Sequence, residues 1–160
     1  MGIQPSLSTD VECTMTADFF TQMRSIMTLQ RALVNEAALA GEENLPELLT
    51  SRDVIRFATV EGAKGLKLDS KIGTLTPGQE ADIILLDANA INVAPLNHVP
   101  GAVVTLMERS NVDTVMVAGK IRKWKGQVLD ADLPKLRAEL EASRDWLFKA
   151  AGVERDLFRV

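Results

Sequence analysis

Residues 72–87, IGTLTPGQEADIILLD, set a tight turn directly before an unbroken apolar run, and no other stretch constrains the fold as much. Pro77-Gly78 is the pair a type II turn requires: proline fixes φ at the first central position and glycine accepts φ > 0 at the second. The run between Asp82 and Asp87 is apolar throughout, which reads as a buried strand. A strand needs neighbours. The other β-rich stretch is VDTVMVAGKIRKWKGQVL, residues 112–129, with two arms around Ala118-Gly119 that read as a hairpin. There Val115 and Val117 alternate with Thr114 and Met116, consistent with one packed face. The sheet is therefore small, and the rest of the chain has to be accounted for mainly by helices.

Helical spacing begins at Asp18. Phe20, Met23, Met27, Leu33 and Ala37 share one face, widened by Ile26 and Val34, and Gly41 with the following polar residues ends the helix. Thr50 and Asp53 form a capping-box-like start for a second helix, in which Val54, Phe57, Ala58 and Gly62 repeat at helical spacing. Gly62 would admit a close neighbour, and Gly65 is a plausible stop. Residues 88–101 read as an irregular, proline-containing connection. From Asp132, an N-cap with Pro134 in the first turn, a last helix runs to about Gly152. Leu133, Leu136, Leu140, Leu147 and Ala150 line one side of it. Residues 3–9, IQPSLST, form a short strand that Pro5 confines to an edge or a beginning. There is no internal repeat and no low-complexity segment.

Composition narrows the class. With 160 residues, 46% hydrophobic and 25% charged, the chain can bury one core. It is too short for a complete eight-stranded α/β barrel, which takes roughly 250 residues. A net charge of −4 without a basic stripe argues against a nucleic-acid partner. No run of about 18 apolar residues suggests a membrane span, and no leader pattern is visible at the N-terminus. A single cysteine, Cys13, excludes an internal disulfide and fits a reducing cytoplasm.

Three stretches in order carry a family likeness: SLSTD followed by ADFFTQMR, then TSRDVIRFATVEGAKGLKLDSKIGTLTPGQEADIILLD, then VDTVMVAGKIRKWKG. Together they resemble the C-terminal portion of the amidohydrolase superfamily, in its cytosine deaminase, chlorohydrolase and methylthioadenosine-deaminase-like branch. The likeness covers residues 3–129. It implies an α+β chain: the last strand and helices of an (α/β) barrel (residues 1–66), the C-terminal part of a small composite β-sandwich (67–129), and a closing helix and tail (130–160). The upstream part of a family enzyme would lie outside this sequence, with Met1 where the family has an ordinary residue just before its last strand.

The resemblance puts Asp10 at the carboxylate that ends the last barrel strand. In the family that group ligates the catalytic divalent metal, zinc or iron, and accepts a proton from the metal-bound water. Metal lowers the pKa of water toward neutrality, and a nearby carboxylate can take the proton as the water attacks. Without the resemblance Asp10 reads as a cap or turn residue. The family's metal-binding histidines are absent, and the one histidine here, His98, falls in the irregular connection. A catalytic zinc usually takes three protein ligands, so Asp10 is an incomplete metal site and a vestigial general base, and no cofactor is expected in this chain alone.

The remaining candidates have plainer readings. Cys13 is an inert loop thiol, and Asp18 is a helix cap. Arg24 either positions a loop or is solvated. Met15, Met23 and Met27 fill core or interface. Trp124 and Trp146 pack strand, sheet and terminal helix together, and His98 is a surface or turn residue.

The function implied is that of a metal-dependent hydrolase acting on non-peptide C–N bonds, of deaminase or chlorohydrolase type, and inactive as this chain alone. The alternatives are a self-associating or partner-binding module without catalysis, or one subunit of a split amidohydrolase. Uncovered barrel-facing stripes imply a homo-oligomer, or a partner chain supplying the rest of the barrel.

Overall fold

In the computed structural model, residues 4–12 and 16–154 are described, and they divide into two compact units, Met1–Gln127 and Val128–Val160. Cys13 and Met15 lie outside the described residues.

The first unit opens with an extended segment and then α1 (Phe19–Leu39). Asp18 caps this helix: Phe20 N–H donates to its Oδ1 at 3.1 Å, and the Thr21 hydroxyl donates to Oδ2 at 2.8 Å. The buried line of α1 is Phe20, Met23 and Val34, with Ile26 and Met27 packed against the core. Leu33 departs from expectation, at 55% exposure. It lies one residue off the line that begins at Phe20, and the helix turns it outward.

α2 (Ser51–Ala58) starts on the expected capping box. Thr50 Oγ1 accepts from Asp53 N–H, and Asp53 Oδ2 accepts from Thr50 N–H at 2.8 Å. The helix does not run on to Gly65. It breaks at Thr59, and α3 (Val60–Gly65) follows. The cause is local. The Thr59 hydroxyl donates to the Ile55 carbonyl at 2.8 Å, taking the acceptor its own N–H would use, and that N–H turns to Arg56 O at 3.2 Å.

Residues 88–101 are not irregular throughout. His98 begins α4 (Val99–Thr105), its Nδ1 accepting from Gly101 N–H at 3.1 Å, with proline in the first turn. Phe20 and Met23 of α1, Val54 of α2, and Ala102 and Val104 of α4 form one cluster with Val93 and Met107. Each of the valine, phenylalanine and methionine side chains among them contributes roughly 1.5–3 kcal/mol when fully buried.

The sheet runs β1 (Ile83–Leu86), β2 (Val112–Val117), β3 (Lys120–Trp124) and the two-residue β4 (Gln127–Val128), in that order, with β1–β2 and β2–β3 antiparallel. Ile83 pairs with Met116 and Ile84 with Val115, and a bulge follows Leu85. The hairpin turn is the expected Ala118-Gly119, with φ of 47° and 77°, the both-positive pattern of a type I′ turn. Asp82 fixes it to the neighbouring strand by accepting from Ala118 N–H at 2.7 Å. The Pro77-Gly78 turn is also present: Gln79 N–H reaches Thr76 O at 3.1 Å, and Gly78 has φ of 95°.

Two strand expectations fail. β1 is not buried: Ile84 is 51% and Leu85 53% exposed, and since successive strand residues point to opposite faces, neither face is covered there. On β2 one face is packed, as expected, and it is that of Thr114, with Val112 joining the core. Residues 4–9 carry no ladder. Leu7 N–H bonds instead to the Phe57 carbonyl at 3.3 Å, so this segment is tied to a helix and not to a neighbouring strand.

The second unit contains α5 (Leu133–Ala151), capped by Asp132 through Lys135 N–H at 3.0 Å and closed by Gly152 in the left-handed conformation. None of its residues is buried. Trp124 and Trp146 are both exposed, and Trp124 has Lys125 Nζ 5.9 Å from its ring centre.

One buried acid gives the fold a pH dependence. The Glu61 carboxylate accepts from Arg56 Nε at 2.7 Å and from Lys64 Nζ at 3.1 Å, and these two bonds, Arg56 first, hold it below its ordinary value. A carboxyl acidified by folding stabilises the folded state above its ordinary pKa, and that contribution is lost as pH falls through the lowered one. Melting temperature should therefore fall on acidification below about pH 4.5. Glu61→Gln should flatten that acid limb and leave the neutral range nearly level, as thermal melts across pH would record.

Candidate functional site

Asp10 sits at the end of the extended segment, with a left-handed φ of 52°. Short polar residues adopt that conformation most readily after glycine. Its N–H bonds back to Ser8 Oγ at 3.0 Å, an Asx/Ser-type turn that sets the direction of the side chain, which is exposed. Leu7 anchors the segment by packing against the core, and Gly65 lies close beneath Ser6.

Two cavities adjoin this segment. The larger, about 560 Å³, is mostly apolar and lies between Leu7, Phe19, the α2–α3 break, Gly73, Leu75 and Ile84. A second, of about 370 Å³, is lined by Ser6, Leu7, Ser8, Thr9, Phe19 and Leu66. Asp10 lines neither of them.

The other candidates are dispersed and committed elsewhere. Asp18 and His98 are both helix caps, as their hydrogen bonds specify. Among the described residues no three of His, Cys, Asp and Glu come together as a metal-binding group. Asp10 thus stands as a single oxygen donor, and the described residues do not by themselves fit a zinc or iron ion, which needs further protein ligands.

Two further residues do positioning work. Arg24 is not simply solvated: its Nη2 donates to the Met107 carbonyl at 2.9 Å and ties α1 to the turn after α4. Asn111, 1% exposed, is the buried hub of a part-buried network whose other members, Asp87, Asn92 and Glu108, are exposed residues. Its Oδ1 accepts from Glu108 N–H and from Asn92 Nδ2, both at 2.9 Å, while its Nδ2 donates to Asn92 Oδ1 and Asp87 O. No periodicity marks Asn111. The only sequence signal is its place three residues after Glu108, the spacing of a local cap.

Comparison with known proteins agrees with this architecture. The profile of the amidohydrolase family matches residues 1–122, and the chain belongs to that family. The 5-methylthioadenosine/S-adenosylhomocysteine deaminase of Caldanaerobacter subterraneus subsp. tengcongensis is 31% identical over 141 residues, covering 88% of this chain and 30% of the relative. The deaminase of the same description from Moorella thermoacetica is 29% identical over 140 residues, covering 87% and 31%. Among solved structures, an adenosine deaminase from Xanthomonas campestris with bound zinc superposes with a TM-score of 0.74 at 28% identity, over 84% of this chain and 28% of that one. Atrazine chlorohydrolase from Arthrobacter aurescens, at 19% identity and a TM-score of 0.65 over 77% of this chain and 25% of that one, shares the fold. The chain thus spans about 30% of the length of the curated relatives it matches. No helix among the described residues is long and apolar enough to cross a membrane.

Proposed function

We propose that this chain forms the C-terminal part of a hydrolytic deaminase, one that replaces the exocyclic amine of an aminopurine-like ring by the oxygen of water and releases ammonia. The observation that carries the reading is the likeness to a deaminase over 141 residues, 88% of this chain. In this reading residues 1–66 belong to the end of a barrel, 67–129 to a composite sandwich, and 130–160 to a closing element. The uncovered apolar side chains at Leu66, Leu75 and Ile84 are then the surface that the remaining body covers.

Asp10 is the carboxylate this segment contributes to the reacting centre, as proton acceptor and oxygen donor. Zinc, present in the Xanthomonas structure, would need donors this chain does not bring together, so no step is assigned to a metal here. The chain alone is inactive.

The test is direct. The purified chain, incubated with 5-methylthioadenosine, should release no ammonia. A hybrid joining it to the N-terminal portion of the Caldanaerobacter relative should deaminate that substrate. Asp10→Asn in the hybrid should then lower kcat by about 10²–10⁴-fold, the usual contribution of a positioned acid–base group. Turnover by the chain alone would overturn its inactivity, and an unimpaired Asp10→Asn hybrid would overturn the role of Asp10.

A further inference from the structure

One hydrogen bond joins the break between α2 and α3 to the segment that carries Asp10. In an unbroken α-helix the Phe57 carbonyl accepts from the N–H four residues on, that of Glu61. Here that bond is not made. Thr59 has φ of −128° and ψ of −84°, outside the helical region, and Phe57 O accepts from Leu7 N–H at 3.3 Å. Glu61 N–H falls among the orphan donors in the first turn of α3. A carbonyl that helix formation would consume is thus released to a segment distant in sequence.

Two contacts hold the break open. The Thr59 hydroxyl occupies the Ile55 carbonyl at 2.8 Å. Across the break, Arg56 Nε of α2 donates to Glu61 Oε1 of α3 at 2.7 Å. Residues five apart on a continuous helix lie about 140° apart around its axis and do not face each other, so this bond belongs to the broken form.

From Leu7 the chain runs directly to Asp10. Leu7 packs against the core, Ser8 Oγ accepts from Asp10 N–H at 3.0 Å, and Asp10 takes its left-handed φ of 52°. The turn aims the carboxylate relative to the segment. The Leu7–Phe57 bond sets where the backbone of the segment lies against α2.

We propose that Thr59 is a positioning residue for Asp10: its hydroxyl diverts α2 so that the Phe57 carbonyl holds Leu7 N–H, and from that fixed point the segment delivers the carboxylate to the reacting centre. The inference rests on the role given to Asp10 above, and Thr59 acts only through the segment.

Thr59→Val removes the hydroxyl at nearly constant shape, and Thr59→Ser keeps it. In the 160-residue chain, amide hydrogen exchange followed by NMR should show two opposite changes in Thr59→Val. Leu7 N–H should exchange about tenfold faster, having lost its acceptor, and Glu61 N–H about tenfold slower, having regained one. Thr59→Ser should leave both at wild-type rates. General destabilisation speeds both amides together and cannot imitate this pattern. In the hybrid with the N-terminal portion of the Caldanaerobacter relative, Thr59→Val should lower kcat about tenfold at unchanged KM for 5-methylthioadenosine. Thr59→Ser should retain full kcat, and Thr59→Val should add nothing to the loss caused by Asp10→Asn. Exchange rates of Leu7 and Glu61 that stay the same or move together overturn the proposal. So does a Thr59→Val hybrid with full kcat beside an impaired Asp10→Asn hybrid, a result that leaves the role of Asp10 standing. A hybrid indifferent to Asp10→Asn overturns that role, and this proposal with it, whatever the exchange rates.

Discussion

Asn111→Ala is expected to lower the unfolding free energy by about 3 kcal/mol, read from urea denaturation followed by far-UV circular dichroism. The side chain satisfies four polar groups at once: Glu108 N–H, both ends of the Asn92 amide, and the Asp87 carbonyl. Asn111 itself is 1% exposed while Asp87, Asn92 and Glu108 are exposed residues, so the cost falls on those of their groups turned inward, at about 1–3 kcal/mol for each that water cannot reach. The network also fixes the sheet to the helical core, because Asp87 follows β1, Asn111 precedes β2, and Asn92 further donates to Leu106 O at the C-cap of α4. Asn111→Asp is the sharper variant. It is nearly isosteric, yet it sets an oxygen against Asp87 O and Asn92 Oδ1 where the amide nitrogen had donated. Asn111→Asp should therefore destabilise at least as much as alanine, whereas a purely packing role for Asn111 would leave it close to wild type. Asn92→Ala should be strongly non-additive with Asn111→Ala, since the two amides satisfy each other.

The contrast between what was legible in the sequence and what was not follows the range of the interactions. Asp18, the Thr50–Asp53 box, Asp132 with Gly152, and the Ala118-Gly119 turn are all decided within four residues, and the structure forms each of them. α4 was hidden because Pro95, Pro100 and Gly101 look like loop residues. A proline in the first helical turn is in fact a start, and a histidine cap is an uncommon signal for one. The break at Thr59 depends on which of two donors takes one carbonyl, a choice that hydrophobic spacing does not record. The β1 run is apolar, but apolarity says only that a surface should be covered, not that this chain covers it. At the candidate site Asp10 was visible through family likeness alone. The anchoring by Arg24 spans 83 residues and has no local signature.

Gly73→Ala is the second large effect expected, at about 3 kcal/mol of destabilisation. Sequence spacing pointed to Gly62 as the glycine under close approach, but a Cβ at Gly62 would meet only Phe57 O, at 3.9 Å. The close approach belongs to Gly73. Its φ of 99° lies in the region L-residues avoid, and a Cβ there would sit 2.8 Å from Ala63 Cβ and 3.4 Å from Val60 Cα. Neither neighbour can rotate away, since one is a methyl fixed to α3 and the other is backbone. The loop that leads into β1 would have to lift off α3, opening the buried position of Ala63 and one wall of the larger cavity. The two costs separate in a double-mutant cycle. Ala63→Gly removes the facing methyl but not the strained φ, so Gly73→Ala should cost about 1–2 kcal/mol less in that background, with the remainder set by the backbone. Equal costs in both backgrounds would assign the whole effect to φ and remove the Ala63 contact from the account. If the lifted loop also carries Leu75 and Ile84 out of place, Gly73→Ala should weaken assembly with the body proposed to cover that surface, in proportion to its loss of stability.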